Sequence, residues 1–147
     1  MNSIFLRNQP LSNLMEIIKI KYNPCENTFK NIEFLLPELI QRYTFLSEIK
    51  EDMNWLSSDF SSDLSKLNQE NLNLVFEVLN ILKSSNWNLK SINENVNEYL
   101  NRNNLKMRDL GPVLRLILTG KKNSPDIFKV IYILGRNECI KRITIDR

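Results

Sequence analysis

Apolar positions return every three or four residues along most of the chain, the period of a helix with one buried face. After Pro10, the run Leu11, Leu14, Met15, Ile17 and Ile18 predicts that the chain opens with a short amphipathic helix, which Tyr22-Asn23-Pro24 ends. Phe29, Ile32, Leu35, Leu36, Leu39 and Ile40 mark a second helical region over about 27–43. Pro37 lacks an amide hydrogen, so a break and two short helices are expected there. Leu46, Ile49, Met53 and Leu56 make the next stripe, with Trp55 either beside it or at a subdomain edge. The segment Ser57-Ser58-Asp59-Phe60-Ser61-Ser62-Asp63 then loses all periodicity and reads as a linker. It is the best linker candidate in the chain, and the place where two helical subdomains, 1–62 and 63–147, would divide.

In the second part, Leu72, Val75, Phe76, Leu79 and Leu82 predict a helix beginning near Lys66. Ile92, Val96, Tyr99 and Leu100 predict another over about 89–101, its opposite face solvated Asn and Glu. Arg102-Asn103-Asn104 stops it. Leu110-Gly111-Pro112 reads as a turn feeding a helix with proline at its first position. Val113, Leu114, Leu116, Ile117 and Leu118 make that helix apolar on most sides and the most buried of all. Arg115 lies inside this run, and its guanidinium must reach solvent, pair with a carboxylate, or meet an anionic ligand. Gly120 is placed to cap the helix in a left-handed conformation. Ser124-Pro125 reads as the next start, the serine oxygen capping free amides and the proline presetting φ, with the helix running to Leu134. Gly135 ends it, and 137–143 forms a last short basic helix. No sustained alternation of period two occurs and no repeat of fixed period, so an all-α fold is expected and a helical solenoid is not.

Composition narrows the chemistry. A chain of 147 residues, 42% hydrophobic and 25% charged, is of the soluble globular class and large enough for one domain or two small ones. Alanine is absent while Asn, Ile, Lys and Leu abound, a bias of composition and not a signal of function. No apolar run approaches the roughly 18–20 residues that span a bilayer, so a cytoplasmic location and no membrane partner are expected. Cys25 and Cys139 form no close pair and histidine is absent, which argues against a zinc site and for two buried free thiols. Without histidine the commonest general base is missing, and with it the Ser-His and Cys-His nucleophile pairs. The charge of +3 is uneven: from Leu105 onward it is +6, and before that −3. At Thr119-Gly120-Lys121-Lys122-Asn123-Ser124-Pro125 two lysines precede a helix start with free amides, a combination suited to phosphate or carboxylate.

The stretch Leu105 to Ile143, LKMRDLGPVLRLILTGKKNSPDIFKVIYILGRNECIKRI, resembles the carboxy-terminal end of bacterial glutamyl-tRNA synthetases. That family's pattern is approximately L-K-x-x-x-L-x-Q-P-L-R-x-A-L-T-G-x-x-x-S-P-x-I/L-F-x-x-L-x-x-L-G-K-E-x-x-L-x-R-L. Upstream, Asn2 to Arg7 is similar to its N-x-x-Y-L/I-R element, and Arg42 with Leu46-Ser47-Glu48-Ile49 to R-x-x-T-L-x-E-L. Phe45 stands where the family has threonine, and Gly111-Pro112-Val113 displaces its proline by one residue. The middle third matches only in helical character.

The resemblance implies two successive all-α subdomains, the α-helical cage that reads the anticodon in class I glutamyl-tRNA synthetases. The catalytic half, with its His-Ile-Gly-His-like signature and Lys-Met-Ser-Lys-Ser-like loop, is not among these residues. Lys106-Met107-Arg108-Asp109 echoes that loop by coincidence. ATP and Mg2+ belong to the parent ligase and no cofactor to this part. The implied partner is tRNA(Glu), with tRNA(Gln) a second candidate, and a monomer is expected. Arg115, Ser124, Pro125, Asp126 and Ile127 are implied to lie against the anticodon bases, and Arg42 to favour the glutamate over the glutamine anticodon at its third base. Physical chemistry agrees with the roles: splayed bases are read by stacking and by hydrogen bonds to their edges. Lys121 and Lys122 suit phosphates, which give affinity more than choice of sequence. The competing expectation, from another class, is a helical protein-interaction module that keeps the fold without RNA recognition.

Overall fold

Every regular element among the described residues is a helix, as the periodicity predicts. The computed structural model describes residues 3–61, 63–65, 67–121 and 123–144, with side chains from residue 5 onward. The elements are α1 (Ser3–Asn8), α2 (Leu11–Tyr22), α3 (Glu26–Leu39), a 3-10 turn (Leu46–Glu48), α4 (Ile49–Leu56), α5 (Gln69–Ser84), α6 (Leu89–Arg102), α7 (Met107–Thr119), α8 (Ile127–Leu134) and α9 (Arg136–Thr144). They divide into two compact units, Met1–Phe60 and Ser61–Arg147.

In the first unit, Leu14 and Ile18 of α2 join Ile32, Leu35, Leu36 and Leu39 of α3 and Ile49 of α4 in a closed core. Asn23 ends α2 in the left-handed region at φ 45°, its amide donating to the Lys19 carbonyl, so the expected stop is realised by asparagine. Two expectations are corrected. The chain opens with α1, a segment too short to display a period, which is anchored by fully buried Leu6. And Pro37 does not split α3: it stands in the last turn, where only the bond to the Glu33 carbonyl is forfeited, and burial of Leu36 and Leu39 on either side outweighs that loss. Trp55 belongs to the core, fully buried, its Nε1 donating to Asp52 Oδ1 at 2.7 Å. The Tyr43 hydroxyl donates to the other oxygen of the same buried carboxylate. Burial first, and then the Asp52 charge, push the Tyr43 phenol far above its usual range.

In the second unit, α5 packs against α6, α7 and α9, and α8 packs against α6, α7 and α9. Val75, Val78, Leu79 and Leu82 of α5 meet a core that includes Leu114, Ile117 and Leu118 of α7. Asn68 and Asn88 cap α5 and α6, each side chain accepting a backbone amide at 2.8 Å. The start expected near Lys66 falls outside the described residues. Asn104, left-handed at φ 55°, turns the chain after α6 without glycine.

Helix α7 is the most heavily buried of the helices, as its composition predicts, but it begins five residues earlier than expected. The Lys106 amide donates to the Asp109 carboxylate at 2.8 Å, which starts the helix at Met107 and leaves Pro112 inside it. Glycine at 111 eases the fit of its proline, although α3 holds Leu36 before Pro37 in the same relation. A Cβ before proline collides with the ring in the α conformation, and Gly111 has none. Cys139 is buried as expected, its thiol pushed up to about 12 by desolvation. Cys25 is exposed, a correction: it precedes α3 at the surface, where its Sγ meets Thr28 Oγ1 at 3.2 Å and hydrogen bonds to Thr28 draw its pKa down. Among the described residues no helix is long and apolar enough to cross a membrane.

Candidate nucleic-acid interface

The turn between α7 and α8 is built from both ends. At its entry Gly120 takes the left-handed conformation, φ 73°, and its amide donates to the Leu116 carbonyl at 2.9 Å. Thr119 Oγ1 bonds back to the Arg115 carbonyl at 2.7 Å and accepts the Lys121 amide at 3.2 Å, which fixes the first residue after the glycine. Lys121 is half-buried and has interactions of its own, while Lys122 lies outside the described residues.

At the exit the capping residue is Asp126, not Ser124. Asp126 Oδ1 accepts the Phe128 amide at 2.8 Å and α8 begins at Ile127, two residues later than expected. A carboxylate thus takes one of the free amides of this helix end and offsets part of its positive dipole. The Ser124 hydroxyl is committed elsewhere. It accepts Arg115 Nε at 3.1 Å and donates to the Pro125 carbonyl at 2.9 Å.

That pairing answers the question Arg115 posed. Among the described residues its guanidinium pairs with no carboxylate; it is half-buried and held by a neutral oxygen nine residues away. An alanine Cβ at 111 would come within 2.9 Å of Arg115 Nη1, so the bare backbone of Gly111 provides the space in which the guanidinium lies. Ser124 and Ile127 are each only 3% exposed and Pro125 is buried too, whereas Asn123 and Asp126 are exposed. The structure therefore brings Arg115 into contact with Ser124, and places Pro125 and Ile127 beneath the surface of the turn. Arg42 belongs to the first unit. It is exposed just past α3, its amide donating to the Leu39 carbonyl at 2.9 Å.

The basic surplus of the last third is partly internal. Arg142 is 1% exposed, with Nη1 donating to the Leu118 carbonyl at 2.6 Å and Nε to Glu138 at 3.0 Å. Arg136 donates to the Ser85 carbonyl and lies 5.3 Å from the Trp87 ring centroid. The field offered to a polyanion is smaller than the residue count suggests. The sequence signal for Arg142 was the Glu138–Arg142 spacing of four on one helix; nothing local marked its bond to α7.

The profile of the anticodon binding domain matches residues 9–145. The chain belongs to the anticodon-binding domain family. It is similar to glutamate–tRNA ligase 2 of Wolbachia pipientis subsp. Culex pipiens, 29% identical with 94% of this chain and 33% of that protein covered. With glutamate–tRNA ligase 2 of Campylobacter concisus it shares 32% identity over 76% of this chain and 25% of the relative. It thus spans about a third of the length of the relatives that match it over nearly its full extent. Among solved structures, a glutamate tRNA ligase from Elizabethkingia meningosepticum, crystallised with its amino acid, matches with a TM-score of 0.73 at 22% identity over 97% of this chain and 30% of that one. That likeness establishes the fold.

For this anticodon-binding domain the glycine before Pro112 becomes testable. Gly111→Ala gains roughly 0.5–1 kcal/mol of helix propensity but meets both the proline ring and the Arg115 guanidinium. Because that guanidinium is the far end of a flexible side chain and can move aside, stability is expected to change by less than about 1 kcal/mol in denaturant unfolding, while Arg115 is displaced from Ser124.

Proposed function

We propose that this chain is the anticodon-reading part of a glutamate–tRNA ligase, recognising tRNA(Glu) so that an ATP- and Mg2+-dependent domain elsewhere can attach glutamate. The observation that carries the proposal is the α7–α8 turn, where Ser124 orients Arg115 inside the segment matched by the anticodon binding domain. A guanidinium fixed through Nε presents its planar edge for hydrogen bonds or its face for stacking. Ser124 is then a positioning residue, Pro125 and Ile127 an apolar bed, and Asp126 the residue that sets the helix start. Lys121 and Lys122 hold phosphate, and Arg42 favours the third base of the glutamate anticodon over that of tRNA(Gln). Among the described residues no group of three or more His, Cys, Asp or Glu side chains is arranged to hold a metal ion. The domain works as a monomer in the cytoplasm.

Titration of the 147-residue chain with tRNA(Glu), tRNA(Gln) and an anticodon-swapped tRNA(Glu) at two salt concentrations tests this. Preference for the native anticodon, with affinity falling as salt rises, is expected. Equal binding to all three, or none at low salt, would favour the protein-interaction module. The chain alone should form no glutamylated tRNA.

A further inference from the structure

We propose that the first unit carries a separate RNA contact, a pocket between α2 and the 3-10 turn in which Phe45 stacks on an unpaired base while Lys21 and Lys50 hold the adjoining phosphate. The proposal rests on the tRNA-binding reading and adds to it a site that neither Arg42 nor Arg115 forms. The cavity measures about 200 Å³ and is lined by Ile17, Lys21, Tyr22, Phe45, Leu46 and Ser47. Phe45 is the most exposed aromatic of the first unit at 54%, ahead of Phe5 at 46% and Phe34 at 42%, and of the three it is the one that lines this cavity. Its backbone is nevertheless fixed: Glu48 Oε2 accepts the amides of Thr44 at 2.6 Å and Phe45 at 2.8 Å. An exposed ring on a pinned backbone loses little freedom when a flat partner covers it.

Charge supplies the second half of the argument. Lys21 and Lys50 place their ammonium groups 5.7 and 5.6 Å from the centroid of the one Tyr22 ring. The ring attracts both ammonium groups and gathers two cations beside the pocket, where an anion would be favoured. The Glu48 carboxylate, the acidic group on the neighbouring turn, is already bonded to backbone amides. An apolar partner would bring no anion to the two ammonium groups. A nucleotide, with a π-face and a phosphate, satisfies both Phe45 and the ammonium groups.

The test uses the full chain with tRNA(Glu) and four variants: Phe45→Ala, Phe45→Leu, Phe45→Trp and the double variant Lys21→Ala/Lys50→Ala. Phe45→Ala and Phe45→Leu are expected to weaken binding about 10-fold or more, and Phe45→Trp to restore it. Phe45→Trp should also show tryptophan quenching on RNA addition, in excess of that from Trp55 and Trp87 in the parent chain. The lysine pair should lower the salt slope by roughly 0.7 for the one phosphate lost. If Phe45→Ala binds within twofold of the parent while the parent prefers its anticodon, the pocket is not a contact and the tRNA reading stands. If Phe45→Leu restores binding as well as tryptophan does, no base is stacked and the proposal falls. If the parent chain binds no tRNA, both fall.

Discussion

Arg142→Ala is expected to destabilise the second unit by about 3 kcal/mol, the lower end of what is lost when one partner of a buried ion pair is removed. The guanidinium is 1% exposed, and burial holds its pKa below the ordinary arginine value, offset in part by Glu138. Two losses add. The Leu118 carbonyl lies in the last turn of α7, where carbonyls have no helical donor, and Arg142 Nη1 supplies one at 2.6 Å. Alanine also leaves a void among α7 and α9. The lower end applies because the remaining partner is not stranded: the Glu138 side chain is 20% exposed and Lys141 stays within 4.0 Å of it. In a unit of this size such a loss lowers the melting temperature by roughly 12 °C or more. Trp87, whose Nε1 donates to the Tyr132 carbonyl at 3.1 Å, reports unfolding of this unit by fluorescence. A loss below about 1 kcal/mol would show that Arg142 does not clamp α9 to α7.

Helix bodies were legible because their signal is local: the residues that repeat at three and four are the ones that face the core. Leu72 to Leu82 and Ile92 to Leu100 needed nothing from elsewhere in the chain. Helix ends were less legible, since several residues compete for one cap and distant partners decide. Ser124 and Asp126 are both good capping residues. Arg115, nine positions back, engages the serine and leaves the cap to the aspartate. Likewise Pro112 reads as a helix start until Asp109 is seen to accept the Lys106 amide one turn earlier. Arg142 sits in a short basic helix, and the packing of α9 against α7 turns it inward. At the α7–α8 turn the candidate residues come from family resemblance alone. Their arrangement, a guanidinium steered by a buried hydroxyl, was not legible, because it depends on how the turn folds Ser124 back onto α7.

That bond underlies the second large effect. Arg115→Ala is expected to reduce the preference for the native anticodon by about 5- to 100-fold, the range for loss of a base-reading arginine, with little change in binding to anticodon-swapped tRNA. Lys121→Ala should instead weaken all tRNAs alike and lower the salt slope by roughly 0.7 to 0.9. Stability separates reading from folding: Arg115 is half-exposed and its partner is a neutral hydroxyl, so its removal should cost less than about 1 kcal/mol. Ser124→Ala is the sharper variant, since it keeps the guanidinium and removes only what steers it. Preference should fall partway, because an unanchored guanidinium samples orientations that do not present its edge to the base. Arg115→Lys should fail to rescue, as an ammonium has neither the planar fork nor the Nε that Ser124 holds. If Arg115→Lys retained full preference, charge alone would suffice at this position and the Ser124 contact would have no part in reading the anticodon.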